Sequence, residues 1–584
     1  MRTITFQGLK DNLKKDFSGH KTSRISVVGD VSTQLVTTAI KGYGYEVGLN
    51  FDIFEAGYDQ IEQQLLNPSS EVYKFNPAWL LVLCSTQKFA KDFYALPRNE
   101  KAIFADRKLD ELRKLYSIIS SNSRASLIFF NLAEYDDGVF GNYANKVALS
   151  LLYQIRKFNL GLMDLARSLK NLYVSDLNSL QSRFGEAFVH DPRIYATADM
   201  IFSIDFLPVI AKNTVDIIKA VSGAARKCLI LDLDNVLWGG LIGDDGLANI
   251  QLGSFGVGKV FTEMQVWIKQ LRERGIIIAV CSKNDEAIAK EPFEKHPDMV
   301  LRLDDIAVFV ANWGSKADSI AFIQRTLNIG FDSMVFIDDS PFERNMVRSH
   351  YPDMAIPDMP EDPAEYLRYL RSLDLFEADS YTDEDSERTG RYRQEATRKI
   401  AEKTFANEDD FLSSLNMEAT SERFKPFNVP RIAQLTQRSN QFNLRTIRYS
   451  EEDIKKIICD ANRIGLSFAL KDTYGDYGLV SAVVLEKKDR TLFLDTWVMS
   501  CRVIKRGLEE YILNCIVELA KKIGTKSLEG EYIQTPKNAL VKDLFRNLGF
   551  TKRNDIWAMD IDGFKLKKTH IASPQEKNMT DENS

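Results

Sequence analysis

Cysteine is sparse and unpatterned. Cys84, Cys228, Cys281, Cys459, Cys501 and Cys515 are the six in 584 residues, and no two stand in CxxC spacing. That argues against a disulfide framework or a cysteine-based zinc site and leaves reduced thiols, each either reactive or merely buried. Long apolar runs are missing too. The longest, at 79–84 and 275–281, fall far short of the roughly 18 residues a membrane helix needs, so they read as buried strands and predict no membrane association. No basic block accompanies the net charge of −6, which argues against a nucleic-acid partner. The opening MRTITFQGLKDNLKKDF lacks the apolar centre of a signal peptide, which predicts a cytoplasmic protein. There is no internal repeat.

What is present is α/β alternation. At roughly 150 residues per domain, a chain of this length predicts three or four units. Short β-branched runs at 24–31, 79–84 and 126–130, with helical patterns between them, predict a first parallel-sheet domain over 1–222. The rhythm restarts with strand-like runs at 228–233, 276–281, 299–303 and 334–337 and helices over 260–273 and 316–327, predicting a second such domain over 223–376. Residues 377–408 are polar and charge-dense and read as a linker that becomes a solvated helix. Extended runs at 479–486 and 491–499 and a helix over 506–521 predict an α+β domain over 409–568, followed by a flexible tail over 569–584.

The second domain carries the chemistry. In LILDLDNVLW, Asp232 and Asp234 end an apolar strand, where open parallel sheets expose their sites. One carboxylate can attack phosphorus and bind a metal while the other moves a proton. A lone DxD also occurs in caps and turns, so the weight falls on the ordered series that follows. Ser282 ends the next run and can hydrogen-bond a phosphoryl oxygen. Lys316 heads a helix as a compact cation. MVFIDDSPFER then delivers Asp338 and Asp339, and oxygen-only ligation favours Mg2+ over zinc. Asp232, Asp234, Asp338 and Asp339 are thus the candidate metal ligands. Asn235, Lys283, Asn284 and Arg344 flank these motifs as candidate substrate-binding residues.

DxD, Ser, Lys and DD in this order resemble the haloacid-dehalogenase (HAD) superfamily. The resemblance implies Asp232 as nucleophile and Asp234 as general acid and base. About 47 residues separate Asp234 from Ser282, too few for a large cap, so the site should be open. The runs KCLILDLDNVLWGGLIGDDG, FIDDSPFER, QLTQRSNQFNLRTIRY and MSCRVIKRGLE further resemble the FkbH-like proteins of polyketide and peptide biosynthesis. That likeness implies dephosphorylation of 1,3-bisphosphoglycerate, or a related small phosphorylated acid, and loading of the glyceryl group through a thiol onto the phosphopantetheine arm of an acyl carrier protein. Cys281, beside Ser282, and Cys501 are the candidate thiols. Strand alternation can equally turn Cys281 away from the pocket. A stand-alone HAD phosphatase stays open as an alternative.

The last domain resembles the GNAT acyltransferases, whose Gly-rich loop presents backbone amides to a pyrophosphate at a helix N-terminus. Arg502 and Gly507 fit that pattern, Lys505 stands where its first glycine belongs, and Phe545 replaces the usual tyrosine acid. Arg502, Lys505, Arg506 and Gly507 are candidate contacts for a phosphate or an acidic carrier surface. Asn440, Gln441, Asn443, Asp472, Asp476 and Asn538 are candidate cleft residues. A GNAT-type acyltransferase or a carrier-docking protein is therefore a further alternative. The first domain resembles the SGNH hydrolases in SVVGDVSTQL, but Val31 holds the nucleophile position with Ser32 one residue late. His190 and Asp191 are the only tempting base nearby. This predicts a non-hydrolytic domain.

Overall fold

The computed structural model describes residues 4–378, 381, 390, 392–393, 407–500 and 503–573. Cys501, Arg502, most of the expected linker and the tail from 574 lie outside the described residues. The chain divides into two compact units, Met1–Ser222 with Glu377–Asp379, and Gly223–Phe376 with Ser380–Ser584.

The first unit is built on β1 (Thr22–Gly29), β2 (Asn50–Glu55), β3 (Trp79–Leu83), β4 (Ser126–Phe130) and β5 (Leu172–Ser175). They pair in parallel in the order β2-β1-β3-β4-β5. β3 is buried at every residue because helices cover both faces of such a sheet. The sequence runs anticipate β1, β3 and β4. β2 and β5 are edge strands with half-exposed patterns, which a search for apolar runs passes over.

The second unit holds two sheets. β6 (Cys228–Leu231), β7 (Ile277–Ser282), β8 (Val308–Ala311) and β9 (Met334–Ile337) form a parallel sheet ordered β8-β7-β6-β9. The expected strand at 299–303 is instead loop, and the strand begins at Val308. The Gln265 side chain explains the shift: its Oε1 accepts from Val300 N–H at 2.9 Å and Leu301 N–H at 3.2 Å, satisfying that backbone without a strand partner. The connection from β6 to β7 holds one helical turn, Ile242–Asp245, and the helix Gly256–Glu273, with no separate cap domain.

β10 (Glu418–Arg423), β11 (Arg463–Asp472), β12 (Gly475–Lys488), β13 (Thr491–Met499), β14 (Ser527–Glu531), β15 (Thr551–Arg553) and β16 (Ile556–Asp560) form the other sheet, ordered β10-β11-β12-β13-β14-β16-β15. β13 and β14 run parallel and pair only from Thr491↔Ser527 to Leu494↔Gly530. Beyond that point residues 442–444 enter between them. Leu444 N–H donates to Trp497 C=O, Met499 N–H to Phe442 C=O, and Ile533 N–H to Leu444 C=O. Asn538 is fully buried and fastens the insert, donating to Asn443 C=O and Ile533 C=O at 2.9 Å each. Asn443 and Asn538 are thus architectural, not cleft residues.

The loop before helix Leu508–Lys522 also departs from expectation. Arg506 is buried, ion-paired with Asp472 at 3.0 Å and set over the Tyr477 ring at 4.4 Å. Glu509 is buried and accepts from Lys505 N–H at 3.4 Å, so the chain's own carboxylate sits at this turn. Lys505 is exposed with φ 64°, and Gly507, φ 75°, is the N-cap. Phe545 is core: it stacks on Trp557 and packs so closely over Gly530 that a Cβ there would lie 2.5 Å from its ring. The expected tail begins later than 569. Thr569 Oγ1 donates to Gly507 C=O, and Ala572 pairs with the backbone of Met417 and Ala419.

Two outcomes follow from these buried charges. Arg506→Met strands Asp472, and the urea midpoint of the C-terminal transition should fall by the equivalent of about 3–5 kcal/mol. Burial raises Glu509 to about 7. Its contribution to stability is therefore complete below its unfolded value near 4.5 and is lost as pH rises through about 7. Thermal melting between pH 5 and 8 should show that loss in the native protein, and Glu509→Gln should flatten it.

Candidate active site

β6 and β9 are neighbours on which the order of the parallel sheet reverses, and their register sets Leu231 opposite Ile337. Asp232 and Asp338, each the next residue, therefore emerge side by side at the carboxyl edge, at the switch point where such sheets bind ligands. Asp232 N–H donates to Ile337 C=O at 2.9 Å. Lys316, first residue of helix Lys316–Leu327 behind the Ser315 cap, joins the two: its Nζ lies 2.6 Å from Asp232 Oδ2 and 2.5 Å from Asp338 Oδ2. Burial works against the ammonium, but the two carboxylates outweigh it and hold Lys316 above its ordinary value. Asp338 is raised to about 6, by burial first and the charge of Asp232 second, with Lys316 pulling the other way. Asp339 is raised by burial and by Asp232, and the Asn235 amide bonds to it.

Carboxylate oxygens of Asp232, Asp338 and Asp339 lie within 4.8 Å of one another. Three carboxylates against one ammonium leave two negative charges in a largely buried site, a deficit that one divalent cation balances. Oxygen donors alone select a hard ion such as Mg2+ over zinc. Asp234 does not join this cluster, contrary to its expected place among the ligands. Its Oδ1 accepts from Trp238 Nε1 at 2.8 Å and Ile242 N–H at 3.0 Å, and its Oδ2 from Asn284 Nδ2 at 2.8 Å. Three donors fix the Asp234 side chain in one orientation beside the cluster. Trp238 and Ile242 went unnoticed in the sequence, although Trp238 stands four residues after Asp234 in the same motif.

Ser282 is buried at the end of β7, with Asn284 Nδ2 at 3.4 Å from its Oγ. Asn235, at φ 54°, also accepts from Gly240 N–H and so shapes the loop after β6. Lys283 is half-buried and paired with Glu343 at 2.6 Å. Arg344 is a correction. It is buried, and its Nη1 donates to the carbonyls of Asp338 and Asp339 at 2.7 Å each, so it braces the acidic loop and has no free face for substrate.

Cys281 is a second correction. It is wholly buried in the cluster of Ile230, Ile320, Ile323 and Phe336, its thiol donates to Lys316 C=O at 3.8 Å, and burial pushes the thiol far up. Strand alternation that turns Ser282 to the site turns Cys281 under the sheet. Arg506 likewise offers nothing to a phosphate, being spent on Asp472. In the first unit Ser32 Oγ donates to Gln34 Oε1, Asp191 is paired with Arg193, and His190 Nδ1 bonds Ile201 C=O, so Asp191 does not orient His190 as a hydrolytic base.

Residues 24–219 match the family described as FkbH, N-terminal domain. A crystal structure of the N-terminal part of protein BF1531 from Bacteroides fragilis, containing a phosphatase domain complexed with Mg, is 47% identical. That similarity covers 65% of this chain and 100% of the other, with a TM-score of 0.63. The Escherichia coli ribosomal-protein-S18-alanine N-acetyltransferase matches at 16% identity and TM-score 0.20, over 24% of this chain and 94% of its own. The GNAT domain of S. lividans PAT also matches at 16% and 0.20, over 24% and 90%. No curated protein matches. With the site's residues in place and a relative matched along its full length at 47% identity, the chain belongs to the FkbH-like family of HAD phosphatase-type proteins.

Proposed function

We propose that this protein is a Mg2+-dependent phosphoryl-transfer enzyme that removes phosphate from a small phosphorylated acid such as 1,3-bisphosphoglycerate. In this reading it also passes the acyl group to the phosphopantetheine arm of an acyl carrier protein. The observation that carries the reading is the cluster of Asp232, Asp338 and Asp339 with Lys316 in contact with two of its members. Asp232, Asp338 and Asp339 would hold the ion, which supplies charge neutralisation between the attacking carboxylate and the phosphoryl oxygens. The Mg-complexed phosphatase domain of the Bacteroides fragilis relative supports that choice.

The chain's own groups then divide the work. Asp232 attacks the phosphorus of the ester phosphate, forming an aspartyl phosphate as the P–O bond to the acid's hydroxyl oxygen breaks. Asp234, pinned by Trp238, Ile242 and Asn284, gives that oxygen its proton and later takes one from the water that hydrolyses the aspartyl phosphate. Lys316 and Ser282 stabilise the charge on the transferring group. At the acyl-phosphate end a thiolate attacks the carbonyl carbon and phosphate leaves. The absence of a cap in the β6–β7 connection, together with Trp313, 75% exposed on the loop after β8, and Phe342, 71% exposed in the first turn of the helix Pro341–His350 after β9, favours a large or tethered substrate.

A stand-alone phosphatase is the second reading, and the burial of Cys281 favours it, because the thiol nearest the acidic cluster in sequence cannot reach substrate. The GNAT-type alternative loses ground to the insert at 442–444, which takes backbone positions in the gap between β13 and β14.

Intact-protein mass spectrometry after incubation with Mg2+ and 1,3-bisphosphoglycerate, with and without a carrier protein, separates the readings. Phosphate release should fall by more than about 10³-fold in Asp232→Asn. A glyceryl adduct on enzyme or carrier establishes the transferase, and phosphate release with no adduct in either setting leaves the phosphatase. Cys281→Ala should change neither readout. Consistent with that, iodoacetamide at neutral pH should label exposed Cys459 well before Cys281 in peptide maps of the native protein.

A further inference from the structure

The first unit contains a pocket of about 470 Å3, within the roughly 300–1,000 Å3 range of small-molecule sites. Its walls come from the residues that follow three adjacent parallel strands: Cys84 and Thr86 after β3, Ala133 after β4 and Leu177 after β5. The order β2-β1-β3-β4-β5 reverses at β1 and β3, so the pocket opens beside this sheet's own switch point, separate from the acidic cluster on β6 and β9. Asp30, the residue after β1, is buried there and accepts from Ser85 N–H at 2.9 Å, tying the two carboxyl ends together.

Four polar side chains of the wall, Thr86, Gln181, Tyr94 and Glu134, are already committed. Thr86 Oγ1 donates to Ala133 C=O at 2.8 Å, Gln181 Nε2 to Glu134 C=O at 2.7 Å, and Tyr94 OH to Asp137 at 2.6 Å, while Arg156 holds the Glu134 carboxylate. His190 is different. Its Nδ1 is 2.9 Å from Ile201 C=O, and because a carbonyl only accepts, Nδ1 carries the hydrogen and Nε2 is left as a lone-pair acceptor. No hydrogen bond to Nε2 occurs among the described residues. Burial keeps the neighbouring Cys84 protonated. Lys91 and Glu186 are exposed, so neither sign of charge has a buried, unspent partner in the wall.

We propose that this pocket binds an uncharged small molecule bearing amide or hydroxyl donors, one of which hydrogen-bonds His190 Nε2 while the apolar body lies among Tyr195, Phe202 and Leu177. The site serves binding, not hydrolysis, since Ser32 is tied to Gln34 and no side chain of the wall is paired as nucleophile and base. It is independent of the phosphoryl site.

The test uses panthenol, an uncharged amide triol without a thiol, and pantothenate, which replaces one end of the same skeleton with a carboxylate. Isothermal titration of the full chain should show saturable panthenol binding and at least ~10-fold weaker pantothenate binding, as expected when a charge is desolvated without a partner. His190→Phe should weaken panthenol about 10-fold, the size of one lost hydrogen bond, and His190→Gln, which restores an acceptor, should recover it. Phosphate release should be unchanged in both variants. Should His190→Phe not fold, the wild type still decides the matter, because it must bind panthenol saturably and pantothenate at least ~10-fold more weakly. Absence of saturable panthenol binding, equal binding in folded His190→Phe, or equal affinity for pantothenate would each overturn the proposal.

Discussion

One buried ammonium organises the catalytic half of this protein. Lys316 touches two carboxylates that enter from two different strands, and without it Asp232 and Asp338 would face each other uncompensated in a site with little solvent. At this separation and in partly buried surroundings, like charges repel by several kcal/mol. The parallel register of β6 and β9 sets the carboxylates level, the Ser315 cap fixes where the helix carrying Lys316 starts, and Arg344 holds the carbonyls of the acidic loop from behind. Sheet, helix terminus and brace all serve to bring opposite charges to one point while leaving a net negative charge for a cation.

The C-terminal sheet shows the opposite use of a familiar architecture. A parallel pair that parts after four residues leaves two rows of backbone groups facing a gap, which could receive an extended ligand. Here the gap is filled from within by 442–444, the adjoining turn carries its own carboxylate in Glu509, and its arginine is sunk against Asp472. The basic, glycine-containing loop keeps the outline of an anion site while its Arg506 and the adjoining Glu509 are turned to holding the fold together.

What could be read from the sequence depended on how local the deciding physics is. Asp232, Ser282 and the Asp338–Asp339 pair were legible because they end apolar runs, Lys316 because it heads a helical pattern, and each is a residue type that phosphoryl chemistry uses. The side-chain period of two already warned that Cys281 and Ser282 face opposite ways, and the structure puts the thiol underneath. Arg506 and Arg344 misled because basic residues in polar stretches read as surface, whereas their burial depends on a partner 34 residues away in one case and on two backbone carbonyls in the other. Residues 299–303 imitated a strand because Met299 and Leu301 are core side chains, and only the distant Gln265 amide makes an irregular backbone acceptable there.

The insert at 442–444 also bears on how the chain reaches its native state. Arg445 meets Asp495 across 50 residues, and Asn538 meets Asn443 across 95. The centre of this sheet therefore closes only after two long loops have been drawn together, an entropic cost met before the contacts that offset it exist. Until then β13 and β14 present unpaired edges to any neighbouring chain, so the seam that makes the finished domain continuous is also the place where a nascent or heat-opened molecule is most open to aggregation.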